Sequence, residues 1–173
     1  MLTRLKRVIK HRWQGERVLS KVLPPDALAQ LTQSVRASER LHSGEIRIYV
    51  EAELPFSYLW RTAPLEQIIR SRAVSVFGKL RVWDTAHNNG VLIYLLIAEQ
   101  AIEIVADRGL NDKVSPQTWH ALVQTMRGAF RRGDFAAGLS SVFQEVHGLL
   151  LAQFPLSPGE TNPNELQDEP ILR

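Results

Sequence analysis

The run Val91-Leu-Ile-Tyr-Leu-Leu-Ile97 constrains the fold more than any other segment. It has no polar side to turn toward water, so as a strand it must be covered on both faces and lie inside a sheet. A short turn at Glu99 and Gln100 follows, then residues 101–107, which alternate partially. Two strands this close in sequence form an antiparallel hairpin. Upstream, residues 45–51 place Ile46, Ile48 and Val50 on one side and Arg47 and Tyr49 on the other, which predicts a half-covered strand.

The intervals read as helices. Pro24 and Pro25 start one whose face holds Leu28, Leu31 and Val35, with Gly44 as its stop; residues 52–64 read as irregular. Leu65, Ile68, Ile69, Ala73, Val76, Phe77 and Leu80 form a second stripe. Ser115 and Pro116 open a third helix, with Trp119, Leu122, Val123, Met126 and Phe130 on its buried face. Gly133 ends it, and Asp134 caps a fourth carrying Phe135, Leu139, Val142, Phe143, Val146 and Leu150. This order predicts an α/β three-layer sandwich, a small mixed β-sheet with helices on both faces. The crossover from strand 45–51 to strand 90–98 should be parallel and right-handed.

Charge divides the chain. Residues 1–21 hold seven Lys and Arg against Glu16 and place Leu2, Leu5, Ile9 and Trp13 at helical spacing, a basic amphipathic segment suited to weak contact with an anionic membrane through residues 1–20. Residues 22–154 are the domain. Residues 155–173, acidic and proline-rich, are expected to stay disordered. A neutral body beneath a basic head excludes a nucleic-acid-binding face on the domain. The absence of cysteine excludes disulfides, thiolate metal sites and cysteine nucleophiles. No run of about 18 apolar residues predicts a membrane-spanning helix, so the expected address is cytoplasmic, with a peripheral contact at the inner face of a membrane.

The loop Asp84-Thr-Ala-His-Asn-Asn-Gly90 directly precedes the apolar run. The predicted topology brings it to the sheet edge where strand 45–51 begins and strand 101–107 ends. Asp84, Asn88, Asn89 and Asp107 should meet there, with Glu45 and Arg108 beside them. Hard oxygen donors of this kind suit Ca2+ or Mg2+ weakly, and an Asn-Gly turn accounts for several of the same residues. The spacing is not that of an EF-hand, because Asn89 and Leu95 stand where its Gly and Glu belong. A phosphate loop, a nucleophile elbow and a zincin motif are all missing, and His11, His42, His87, His120 and His147 are scattered.

Three short motifs in order resemble the TPM domain, a phosphatase-like domain of thylakoid-lumen repair proteins, bacterial membrane-linked proteins and an animal receptor modulator. They are Asn88-Asn89-Gly90-Val91-Leu92-Ile93, Asp107-Arg108-Gly109-Leu110 and Gly133-Asp134-Phe135, within residues 23–154. The chain is similar to a soluble proteobacterial subgroup. It departs from the family pattern where Asn88 replaces the aspartate before Asn-Gly, Asp107 replaces a glycine and Arg108 a tyrosine. The resemblance implies a three-layer α/β fold. Some relatives resemble acid phosphatases and some bind calcium.

Two functions follow as expectations. One is a non-catalytic accessory or interaction domain for a protein partner, with a cation site at Asp84, Asn88, Asn89 and Asp107. The other is a divalent-metal-dependent, acid-phosphatase-like hydrolase in which Arg108 neutralises phosphate charge and Glu45 stands behind the ligands. The sequence assigns no catalytic residue and leaves catalysis open.

Overall fold

The computed structural model describes residues 16–173. In chain order they form α1 (Glu16–Val22), α2 (Pro25–Ser38), β1 (Ile46–Glu51), α3 (Phe56–Leu59), α4 (Leu65–Lys79), β2 (Val91–Leu96), β3 (Ala101–Ala106), α5 (Arg108–Asn111), α6 (Pro116–Arg131), α7 (Phe135–Gln153) and β4 (Ile171–Leu172). The four strands make one sheet in the order β3-β2-β1-β4. Most of the basic segment 1–21 lies outside the described residues; its last part belongs to α1, where Leu19 is buried.

The apolar run forms β2, which is buried along its whole length and flanked on both sides. Its partners are those expected, with β1 parallel and β3 antiparallel. Side chains alternate between two cores, as a two-residue period requires. Val91, Ile93 and Leu95 face a large cluster with α1, α2, α6 and α7; Leu92, Tyr94 and Leu96 face a smaller one with α3 and α4. The stripe on α4 is buried as predicted at Ile68, Ile69, Ala73 and Val76. On α6, Leu122 and Phe130 are buried and Trp119 and Val123 partly so; the Met126 side chain lies outside the described residues. The single turn α3 stands where the sequence suggested an irregular segment.

Strand β1 differs from its expectation. All six of its residues are buried, Arg47 and Glu51 included. The side read as solvated is covered by α4 and by the chain terminus. Glu51 accepts hydrogen bonds from Arg72 Nε at 2.9 Å and from the Tyr94 hydroxyl at 2.6 Å. A buried charge persists only when its partners replace water. Burial first, and then the Glu51 carboxylate, push the Tyr94 hydroxyl well above the ordinary phenol range. Tyr94→Phe removes one charge-assisted bond and leaves Arg72 in place. It should lower the unfolding free energy by about 2 kcal/mol, read from urea midpoints.

The expectation of a disordered tail is corrected. Beyond Pro155 the chain runs back along β1, and β4 pairs with it in parallel at Tyr49–Ile171 and Val50–Leu172. Polar and main-chain contacts dock the segment rather than apolar area, and composition alone cannot show them. Helix α7 is also long and apolar enough, by length and composition, to cross a membrane, although no such run was expected. In this fold its Leu139, Val142, Phe143, Val146 and Leu150 side lies in the larger core.

Candidate functional site at the β1–β2–β3 edge

Two glycines dock the loop 84–90 onto the end of β3. A Cβ on Gly90 would sit 1.9 Å from the Val82 carbonyl oxygen, and one on Gly109 would sit 2.5 Å from that of His87. No side chain fits either position. The approach is fixed by Asp107 N–H donating to Gly90 O at 2.9 Å and Gly109 N–H donating to Asn88 O at 2.8 Å. Asn88 takes a positive φ of 51°, which asparagine tolerates better than most residues.

Four of the expected residues lie together on this edge. Asp107 caps α5, its Oδ1 accepting from Arg108 N–H at 2.8 Å. Asn88 Oδ1 accepts from Arg108 Nη2 at 3.2 Å. Asn89 is fully buried and donates through Nδ2 to Ser43 Oγ at 3.2 Å. Asn89 Oδ1 and Asp107 Oδ2 are both buried without a hydrogen-bond partner. Such atoms are uncommon and ask for an explanation, an ion among them.

The other two residues have different commitments. The Asp84 side chain, 48% exposed, pairs with Arg81 at 2.5 Å. This is a local contact, three residues apart along the chain. Glu45 is fully buried and accepts from Asn162 Nδ2 at 3.0 Å and Leu166 N–H at 3.1 Å, so the terminal segment holds it. Burial raises its pKa, and these bonds oppose the rise. A cleft of about 420 Å³ separates the loop from this segment, with Ala86, His87, Asn162 and Glu165 among its walls. Among the described residues, no group of three or more His, Asp or Glu is arranged to hold a metal ion. Asp107 and Asn89 thus each keep one uncommitted buried oxygen, a carboxylate and an amide oxygen respectively.

A second polar cluster, which no local sequence pattern announces, joins Ser38, His42 and His147. Ser38 Oγ lies 2.7 Å from both His42 Nε2 and His147 Nδ1, and His42 Nδ1 lies 3.1 Å from Gly44 O. A proton on His42 Nδ1 satisfies the carbonyl, so Ser38 donates to Nε2 and accepts from His147. Ser38 is only 3% exposed and His42 not at all, so this chain is internal wiring rather than a nucleophile with its base. Burial first, then the neighbouring His147, lower the His42 pKa to about 4. Beside it, Glu39 accepts from Ile46 N–H at 3.0 Å. Burial and the nearby Glu45 raise its pKa to about 9, so it stays protonated and bonds the Asp168 side chain.

The decisive comparison is with sequence families, where the model for the TPM domain matches residues 18–149. The chain belongs to the TPM-domain family. Its TPM fold is similar to the NMR structure of the BA42 protein from the psychrophilic bacterium Bizionia argentinensis. The two are 26% identical with a TM-score of 0.71, over 87% of this chain and 95% of that one. The N-terminal domain of a P. gingivalis protein shares the fold, with 19% identity and a TM-score of 0.58 over 76% of this chain and 79% of that one. No curated protein matches. The terminal segment that holds Glu45 follows the matched TPM residues.

Proposed function

We propose that this TPM domain is a non-catalytic accessory or interaction domain whose β1–β2–β3 edge offers a weak divalent-cation site at Asp107 and Asn89. The observation that carries the reading is the pair of buried, unpartnered oxygens on those two residues. Asp84, Asn88 and Glu45 are already committed to Arg81, Arg108 and the terminal segment. The edge thus spends its polar side chains on structure. Loop carbonyls and water would complete the shell around Ca2+ or Mg2+, and a site with so few carboxylates belongs at the weak end, about 10⁻⁴–10⁻³ M for calcium.

Calcium at about ten times that constant should raise the melting temperature by a few degrees, since a ligand that binds only the native state stabilises it. Asp107→Ala should abolish the rise, and Asp84→Ala should leave it intact. No calcium response in the wild type would overturn the site.

Arg108 keeps the metal-dependent phosphatase as a second reading, because it projects onto Asn88 beside Asp107 and a guanidinium there suits a phosphate oxygen. Contact of residues 1–20 with an anionic membrane belongs to the same proposal and rests on their charge alone.

A further inference from the structure

The terminal segment 160–173 shows what the groove along β1 binds. Arg47, 5% exposed, donates to the main-chain oxygens of Gln167 and Glu169. Glu45 accepts from the Leu166 N–H. Arg36 pairs with Asp168 at 2.8 Å, and Asn164 Nδ2 donates to the same carboxylate. At the far end Ala52 N–H donates to Arg173 O at 2.6 Å and Arg173 N–H to Val50 O at 2.9 Å. Most of these contacts read backbone, and an acidic side chain at one position, rather than a particular sequence.

The segment fills the groove incompletely. Strand β1 pairs with β2 at all six of its residues but with β4 at only Tyr49 and Val50. Of residues 156–173 only Asp168 is buried. Its hold therefore depends on being tethered, which raises its effective concentration to the millimolar range. A longer extended chain could pair with more of β1 by strand addition, the mode in which main-chain bonds supply affinity.

We propose that residues 160–173 are an internal pseudo-ligand, and that the β1 groove receives an extended acidic segment of a partner protein which displaces them. The acidic residue takes the place of Asp168, between the Arg36 guanidinium and the protonated Glu39, while Arg47 and Glu45 hold the backbone on either side. Exchange of the segment between two copies of this chain creates no contact that the closed chain lacks, so it is not favoured at ordinary concentration. The inference rests on the interaction role proposed above and is independent of the cation site. A calcium response without peptide binding removes the groove alone.

The test uses the full chain and a fluorescein-labelled synthetic peptide of residues 160–173, with binding read by anisotropy. Asp168→Ala loosens the tethered segment by removing its contacts to Arg36 and Asn164 and leaves the groove intact, so this chain should bind the peptide at least tenfold more tightly than the wild type. The peptide carrying Asp168→Ala should bind neither, and adding Arg47→Gln to the Asp168→Ala chain should abolish binding. Amide exchange on the same samples should show Leu166 and Arg173 released while β2 stays protected. If Asp168→Ala does not fold, Glu165→Ala, which removes only the exposed contact to Ala86 N–H, should show the same ordering with a smaller gain. Equal affinity for the wild-type and loosened chains, or binding that ignores Arg47, would overturn the proposal. Dimerisation of the loosened chain in sedimentation velocity would assign the groove to a second copy and overturn the partner assignment.

Discussion

Deleting residues 157–173 should lower the melting temperature by roughly 5–15 °C. The loss is not one of apolar area, since only Leu166, Ile171 and Leu172 of the segment pack against the cores. It arises because Glu45 and Arg47, 0% and 5% exposed, are left without Asn162, Leu166, Gln167 and Glu169. Leaving a buried charged group without its hydrogen-bond partners costs about 1–3 kcal/mol or more for each group. Departure of the segment also lets water reach the two side chains, so the net cost should be about 2–4 kcal/mol. In a domain of this size each kcal/mol moves the midpoint by about 2–4 °C. A truncated chain that melts with the wild type would show the segment to be undocked. Arg47→Met in the truncated chain should recover part of the loss, because it removes the charge that was left unpaired.

Glu39→Gln should stabilise the protein at pH 7 and above, by about 2–3 kcal/mol near pH 8. The native carboxyl, buried and next to Glu45 and Asp168, keeps its proton up to about pH 9. The unfolded chain releases it near 4.5, the ordinary value. The native state therefore binds more protons between those limits, and stability falls as pH rises through them. The contribution is complete below 4.5 and lost by about 9. Glutamine keeps an acceptor for Ile46 N–H and a donor for Asp168 and carries no proton to lose. His42 slopes the other way on the acid side. Its pKa is lowered to about 4, so its contribution is present above 6.5 and lost as pH falls toward 4. The difference between wild type and Glu39→Gln cancels that term. Urea midpoints at pH 5, 7 and 9 should diverge steadily, and parallel profiles would contradict the assignment.

Much of this fold was legible because hydrophobic spacing reports burial directly. The run 91–97 could only be an inner strand, and its closeness to residues 101–107 forced the hairpin. From those two facts the meeting of Asn88, Asn89 and Asp107 followed by topology. The pairing of Asp84 with Arg81 is a local contact that the shared edge did not announce. The face of Arg47 and Tyr49, which Glu51 shares, looked uncovered because alternation shows which side chains share a face, not what covers that face. The covering groups are Arg72 and Tyr94 for Glu51 and the distant terminus for Arg47. The terminus itself was illegible, since main-chain bonding leaves no periodic trace and its composition is that of a disordered tail. The contact between His42 and His147 through Ser38 joins residues 109 positions apart on one side, which no local pattern predicts.

Hydrolysis of para-nitrophenyl phosphate tests most directly whether the edge is a binding site or a catalytic one. The purified full chain is assayed with millimolar Ca2+ or Mg2+ and again with excess chelator. A non-catalytic edge predicts rates equal to the protein-free blank under every condition, in the wild type and in Asp107→Ala alike. Turnover that the chelator removes and Asp107→Ala abolishes would contradict the account and establish the phosphatase.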